Sequence, residues 1–154
     1  NKYDNINIGI NGRLDTIQAA ILIEKLKIFK REVLLRQKVA SKYMTLLDKQ
    51  FTFQYIPKGY QSVWAQFCLL ANTKKQRNGI LEHLNSQGIP TAVYYSKPLH
   101  LQSAFLKITY KSNPLKISEK ISDRIFSIPM HPYLSNDNIN KICDILIKAK
   151  HELS

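Results

Sequence analysis

The feature that most constrains the fold is a long helical pattern near the start of the chain. From Leu14 onward apolar residues recur at three- and four-residue steps, namely at Leu22, Leu26, Phe29, Val33, Ala40, Tyr43 and Leu47. Asp15 and Gln18 have the spacing of a capping box, which marks a helix start. A helix of about 35 residues is about 50 Å long, more than the width of a domain of this size. We therefore expect it to bridge to something outside this chain.

Shorter elements with a mixed periodicity follow this helix. Alternating or continuous apolar patterns predict strands over residues 51–56, 63–70 and 91–95, and amphipathic patterns with cap residues predict helices over 74–86, 118–126 and 136–153. Gly88 is placed to end the first of these helices, and Ser135 to cap the last. The predicted fold class is α/β, more specifically an α+β small domain in which a long N-terminal helix precedes a small, mostly antiparallel sheet with helices packed on it.

Composition and charge limit the classes of protein to which this chain can belong. The chain has 154 residues, of which 44% are hydrophobic and 22% charged, values typical of a folded globular chain. With 23 Lys and Arg and 11 Asp and Glu, the net charge is +12. This charge fits either a protein that binds nucleic acid or an anionic surface, or a protein whose ligand carries phosphates. The basic residues are spread along the chain, and the cluster Lys74–Arg77 is expected to be a solvated helix face. Nucleic acid is the less favoured partner.

Two further observations concern location and the cysteines. No apolar run reaches the roughly 18 residues that a membrane-spanning helix needs, and no signal-like segment opens the chain, so we predict a cytoplasmic protein without a membrane partner. Cys68 and Cys143 each lie in an apolar pattern with no partner at metal-ligand spacing. They are expected to be buried, reduced thiols, and no metal site is predicted.

Two segments are candidates for ligand contacts. Gly9–Arg13 places backbone and amide donors beside a helix N-terminus, which suits an anion, although Gly and Asn also occur there as turn formers. Tyr94–His100 places two phenols, an amine and an imidazole at the end of a predicted strand. His100 is either a donor or proton shuttle for a ligand or a hydrogen-bonded structural residue. His131, beside Pro132, is interpreted as structural.

The order of several segments resembles the DegT/DnrJ/EryC1/StrS family of sugar aminotransferases. The resemblance begins at Tyr3, Gly9–Leu22, Lys25–Leu26, Arg36 and Tyr43. It continues through Ser62–Phe67, Gly88–Thr91, Tyr95–Gln102 and Ser127–Pro132. It covers essentially the whole chain and implies a pyridoxal-phosphate enzyme of fold type I. Such enzymes work as homodimers and move an amino group, usually from glutamate, onto a keto sugar carried by a nucleoside diphosphate.

The resemblance also implies what this chain lacks. In the family, the Schiff-base lysine, the acidic partner of the pyridine nitrogen and the stacking aromatic residue come from a large domain upstream. No S-F-x-x-x-K-x-x-x-x-G-x-G-G segment surrounds any lysine here. The chain is therefore identified as the C-terminal portion, with no catalytic residue of its own, inactive in isolation and dependent on the large domain. The alternative is a stand-alone basic module that binds anionic ligands or nucleic acid.

Position by position, the resemblance implies roles for four residues. Asn11 matches an asparagine that reaches the cofactor phosphate of the neighbouring subunit. Arg13 either stabilises that loop or faces the substrate diphosphate, and Tyr95 and His100 match a loop at the sugar-nucleotide entrance. The long helix, within residues 1–49, would join the cofactor domain to a small domain of residues 50–154 near the dimer interface. Departures from the family pattern occur at Ser96 and over residues 114–119.

Overall fold

The long predicted helix is present as α1. The computed structural model describes residues 4–10, 12, 14–105 and 115–153. Helix α1 runs over Thr16–Leu46, 31 residues, and is therefore about 46 Å long. Its N-cap is Asp15, whose Oδ1 accepts a hydrogen bond from the Gln18 backbone N–H at 2.7 Å. The predicted helix and its cap are confirmed.

The two halves of α1 have different surroundings. In the second half Val39, Ala40 and Tyr43 are buried, and the Tyr43 ring lies 5.1 Å from that of Phe67. In the first half the large apolar side chains are exposed, including Ile17, Ile21, Leu22, Ile23, Leu26 and Phe29. Only the second half of the helix therefore contributes to the core of the chain.

A three-stranded antiparallel sheet lies beside α1. Its strands are β1 (Thr52–Phe53), β2 (Phe67–Leu70) and β3 (Ile125–Ile128), in the order β1-β2-β3. Strand β2 pairs with β1 through Thr52↔Leu70 and with β3 through Phe67↔Ile128. The predicted fold class, a long helix followed by a small antiparallel sheet with helices packed on it, is confirmed.

The strand predicted over 91–95 is wrong. Only Ala92 pairs there, in an isolated antiparallel bridge with Ser127 of β3, and Tyr94 already lies in a turn. Pro90 has no amide hydrogen for a ladder, and Pro98 restricts the chain shortly afterwards. The third place in the sheet is instead taken by β3, which includes Phe126, a residue assigned above to a helix.

Three helices complete the described fold: α2 (Lys74–Ser86), α3 (Lys116–Arg124) and α4 (Asn136–Glu152). Helix α2 has the predicted bounds, and Gly88, at φ +73°, takes the left-handed conformation that ends it. The Ser135 hydroxyl accepts from the Asn138 N–H, as expected for the cap of α4. Among the described residues, no helix combines the length and apolarity needed to cross a membrane.

Two residues in the first turn of α2 are more buried than predicted. Gln76 and Arg77 are buried, with 5% and 6% of their surface exposed, so the expectation of a solvated face is wrong for these two residues. Gln76 Oε1 accepts from the Asn72 N–H, and Arg77 Nε donates to Asn78 Oδ1. Burial lowers the pKa of the Arg77 guanidinium, partly offset by Asp123. Gln76 thus has a polar partner for its burial, whereas Arg77 Nη1 is buried without a hydrogen-bond partner among the described residues, which makes the burial of this side chain costly.

The core lies between α1, the sheet and the pair α2 and α4. Its largest fully buried side chains are Tyr43, Phe67, Phe126, Leu47, Leu69, Ile80, Leu84, Ile139 and Leu146. Cys143 belongs to the same core, whereas Cys68 is partly buried with its Sγ 3.1 Å from Ser127 Oγ. Both thiols are free, as predicted, but the prediction of burial holds for Cys143 and not for Cys68.

Candidate functional site

A polar network joins the N-terminal segment to the loop of residues 97–104. The Asp4 carboxylate is its centre: Oδ1 accepts from Lys97 Nζ at 2.7 Å and from the Ser103 N–H at 3.0 Å, and Oδ2 accepts from Ser103 Oγ at 2.6 Å. These bonds to the charged form hold the pKa of Asp4 well below its usual range, with the Lys97 contact as the largest cause. The carboxylate is therefore anionic and firmly held.

Backbone contacts extend the network on both sides of Asp4. The Asn5 N–H donates to Gln102 Oε1 at 2.8 Å, and the Asn5 carbonyl accepts from the Ala104 N–H at 2.7 Å. Gln102 is buried, and its Nε2 donates to the Lys97 carbonyl at 3.0 Å. The loop itself is built from two 3-10 turns, Leu99–Leu101 and Ser103–Phe105. We call Asp4, Asn5, Lys97, Gln102 and Ser103 the N-terminal latch.

His100 lies on the same loop and has a partner that the sequence does not predict. Its Nε2 is 2.9 Å from Glu119 Oε1 of α3. The imidazole keeps 19% of its side-chain surface exposed, so part of the ring stays open to the surroundings. The Glu119 contact gives Nε2 a hydrogen-bond partner. A contact of the other ring nitrogen, Nδ1, with a ligand stays a prediction.

Tyr95 lies before that loop and is largely exposed, with 72% of its surface accessible. Its ring forms an edge contact with that of Tyr94 at 6.2 Å between centroids. An exposed phenol at this position is available to a ligand. Its proposed role at a substrate entrance stays a prediction.

Asn11 and Arg13 lie outside the described residues. On one side of them the latch holds Asp4 and Asn5, and on the other Asp15 caps α1. Because the Asp15 carboxylate already accepts from an N-terminal amide of the helix, the helix end itself is partly satisfied. An anion in this region would therefore depend on the segment before the cap.

A second set of contacts ties the middle of α1 to the small α/β body. Arg36 Nη1 donates to the carbonyls of Trp64 at 2.9 Å and Met130 at 3.4 Å. The Trp64 indole donates to Gln37 Oε1 at 2.9 Å, and Gln37 Nε2 donates to the Ser62 carbonyl. These bonds hold Trp64, a buried residue with φ +49°, in a conformation that is rare for non-glycine residues.

A shallow cleft of about 480 Å³ lies between α1 and residues 53–64. Aromatic and amide groups dominate its lining, among them Gln37, Tyr55, Tyr60, Gln61 and Trp64. Neither Tyr95 nor His100 lines it, and its described lining carries no basic side chain for a diphosphate. It is therefore a separate feature from the predicted substrate loop.

The sequence does not predict most of the latch. No pattern in it predicts the contacts of Asp4, Gln102 and Ser103 with one another or with the loop, nor the contact of Glu119 with His100. An acidic residue close to the start of a strongly basic chain was the one available signal for Asp4, and it does not identify a partner. In the described ranges, no cluster of three or more His, Cys, Asp or Glu is placed to hold a metal ion.

Comparisons with known proteins identify the class. The DegT/DnrJ/EryC1/StrS aminotransferase family profile matches residues 1–147, and the structure has the fold of solved members of that family. The chain belongs to this family of aminotransferases.

Two curated relatives and one solved structure illustrate the match. The chain is 38% identical over 146 residues to a UDP-2-acetamido-2-deoxy-3-oxo-D-glucuronate aminotransferase of Pseudomonas aeruginosa, covering 94% of this chain and 39% of the relative. It is 30% identical over 144 residues to a dTDP-3-amino-3,6-dideoxy-alpha-D-galactopyranose transaminase of Aneurinibacillus thermoaerophilus, covering 93% and 38%. A DegT DnrJ EryC1 StrS aminotransferase from Brucella abortus is 42% identical, with a TM-score of 0.81 over 94% of this chain and 38% of that one. The chain thus spans about two fifths of the length of these relatives.

Proposed function

We propose that this chain is the C-terminal part of a pyridoxal-phosphate enzyme that transfers an amino group from glutamate to a keto sugar linked to a nucleoside diphosphate. The product would be an amino sugar for surface polysaccharide or for a glycosylated metabolite. The observation that carries the proposal is the family match over residues 1–147. Relatives that act on UDP- and dTDP-linked sugars support the substrate class.

We propose one contact between this chain and the cofactor. Pyridoxal phosphate, when bound, supplies an electron sink that stabilises negative charge at the reacting carbon. A side-chain amide donor suits a phosphate oxygen, and Asn11 is the residue we assign to the phosphate in the neighbouring subunit. The lysine that carries the cofactor, by this proposal, belongs to the large domain.

The substrate contacts proposed are Tyr95, His100 and Arg13. The exposed Tyr95 phenol and the partly exposed His100 ring offer hydrogen bonds to a sugar nucleotide, and Arg13 supplies positive charge for a diphosphate or supports its own loop. The net charge of +12 favours anionic ligands in general. We expect the whole enzyme in the cytoplasm.

The partners proposed are the large domain and a second subunit. The first half of α1 exposes seven large apolar side chains, Ile17, Ile21, Leu22, Ile23, Leu26, Ile28 and Phe29, and each gains about 1.5–3 kcal/mol when fully buried. Contiguous apolar surface of this kind marks an interaction site. We propose residues 1–49 as the loop and helix that join the domains near the dimer interface, and residues 50–154 as the small domain.

Amino transfer from labelled glutamate tests the proposed function. The whole protein, incubated with pyridoxal phosphate, [15N]glutamate and a UDP-linked 3-keto sugar, should give an amino sugar that carries 15N, detected by mass spectrometry. A dTDP-linked keto sugar is the second substrate. The 154-residue chain alone should give no product. Failure of the whole protein to label either substrate would overturn the proposal.

A further inference from the structure

The N-terminal latch connects parts of the chain that are far apart in sequence. Its bonds join Asp4 and Asn5 to residues that are 93 to 99 positions away. The Asp4 carboxylate accepts three of these hydrogen bonds, from Lys97 Nζ, from the Ser103 N–H and from Ser103 Oγ. Charge-assisted bonds of this length are about twice as strong as neutral ones. One carboxylate therefore anchors the segment to the loop.

The apolar side chains of residues 6–10 are not buried against the rest of the described structure. Ile6, Ile8 and Ile10 are exposed, with 72%, 69% and 99% of their surface accessible. Segments with few buried apolar contacts open at low free-energy cost. Among the described residues, the contacts that hold the N-terminal segment are therefore those of Asp4 and Asn5.

The latch holds the 97–104 loop on both sides of His100. Lys97 precedes His100 by three residues, and Ser103 follows it by three. We infer that Asp4 is a positioning residue: by binding both Lys97 and Ser103, its carboxylate fixes the 97–104 loop and so the place of His100. This inference rests on the proposed function for the role of His100 as a substrate contact, and on the structure for the latch itself.

Amide hydrogen exchange on the 154-residue chain tests the latch without reference to activity. The reporters are the N–H groups of Ser103 and Ala104, which donate to Asp4 Oδ1 and the Asn5 carbonyl. In Asp4→Ala their exchange should accelerate about 10-fold or more, with Asp4→Asn intermediate because its amide oxygen still accepts. The exchange rates of core amides such as that of Leu69 should not change. In the control Asp48→Asn, which removes an exposed carboxylate, the exchange rates of Ser103, Ala104 and Leu69 should all stay as in the wild type.

The whole protein tests the positioning role. Displacing bound groups by about 1 Å costs up to about 100-fold in rate, so Asp4→Ala should raise the sugar-nucleotide KM about 10-fold. Lys97→Met should give a smaller effect in the same direction, and Asp48→Asn none. Asp4→Glu should recover part of this loss, because it keeps the charge.

The outcomes separate the inference from the proposed function. Unchanged exchange at Ser103 and Ala104 in Asp4→Ala would overturn the latch. Faster exchange with an unchanged KM would overturn the positioning role while the proposed function stands. A wild-type protein that transfers no amino group would overturn the proposed function, and the exchange arm would still measure the latch.

Discussion

His100 Nε2 lies 2.9 Å from Glu119 Oε1, which joins the 97–104 loop to helix α3. An ionised carboxylate only accepts hydrogen bonds, so in the neutral imidazole the proton is held on Nε2 and Nδ1 is an acceptor. The pair thus selects one tautomer of a ring that is partly open to a ligand. A substrate hydroxyl that approaches Nδ1 would meet an acceptor.

The first prediction concerns this tautomer. In Glu119→Ala the neutral His100 ring should change from one dominated by the Nε2–H form to a mixture, because no carboxylate favours either nitrogen. The 15N shifts of the two ring nitrogens measure the populations. Glu152→Ala is the matched control, since Glu152 lies 3.9 Å from His83 and should leave His100 unchanged. A wild-type ring dominated by the Nδ1–H form would contradict the assignment.

The second prediction concerns the titration of Asp4. Its pKa is lowered in the folded chain, chiefly by the Lys97 bond and then by Ser103, so the stabilisation is fully present above the ordinary Asp pKa of about 3.9. It is lost as the pH falls below that value and through the folded-state pKa. The carboxyl 13C shift of Asp4 should still be that of the anion at pH 3.5. In Lys97→Met the midpoint should rise, and an ordinary midpoint in the wild type would refute the latch geometry.

The third prediction concerns the packing of α1 on the body. The Tyr43 hydroxyl is buried and donates to the Pro129 carbonyl at 2.9 Å, and burial raises the pKa of Tyr43. Tyr43→Phe would leave that carbonyl without this donor, so the free energy of unfolding should fall by about 1–2 kcal/mol. Urea denaturation measures the change. Tyr55→Phe, at a residue 82% exposed, should change it little, and equal effects would contradict the argument.

The fourth prediction concerns thiol reactivity. Burial, with a smaller contribution from Asp144, raises the pKa of Cys143 to about 12. The stability that the neutral thiol contributes is therefore present below the ordinary thiol pKa and is lost as the pH rises toward 12. In a Cys68→Ser background, Cys143 should react with iodoacetamide at pH 8 far more slowly than a free thiol and should react readily in urea. Equal rates in the two conditions would show that Cys143 is not buried.

Local interactions account for what could be predicted from the sequence. The Asp15 and Ser135 caps, the bounds of α2 and the left-handed Gly88 depend on residues within about four positions of one another. Such contacts leave a direct pattern in the sequence.

The features that were missed depend on distant partners. Asp4 and Lys97 are 93 positions apart, and His100 and Glu119 are 19 apart. Ala92 forms only an isolated bridge with Ser127, a residue 35 positions away, on the edge of β3 that does not face β2. Arg77 is buried by the packing of α2 rather than by its own basic neighbourhood. Tertiary context overrides local pattern at each of these positions.

The most direct test of the account is a comparison of Asn11→Ala and His100→Ala in the whole protein, with cofactor retention and the sugar-nucleotide KM measured for each. Asn11→Ala should lose the visible absorbance of the cofactor on dialysis faster than the wild type, because a phosphate contact is gone. His100→Ala should raise the KM by about 10-fold or more, the order of a lost hydrogen bond to substrate, while it retains the cofactor. Unchanged cofactor retention in the first variant together with an unchanged KM in the second would contradict the claim that this chain carries both contacts.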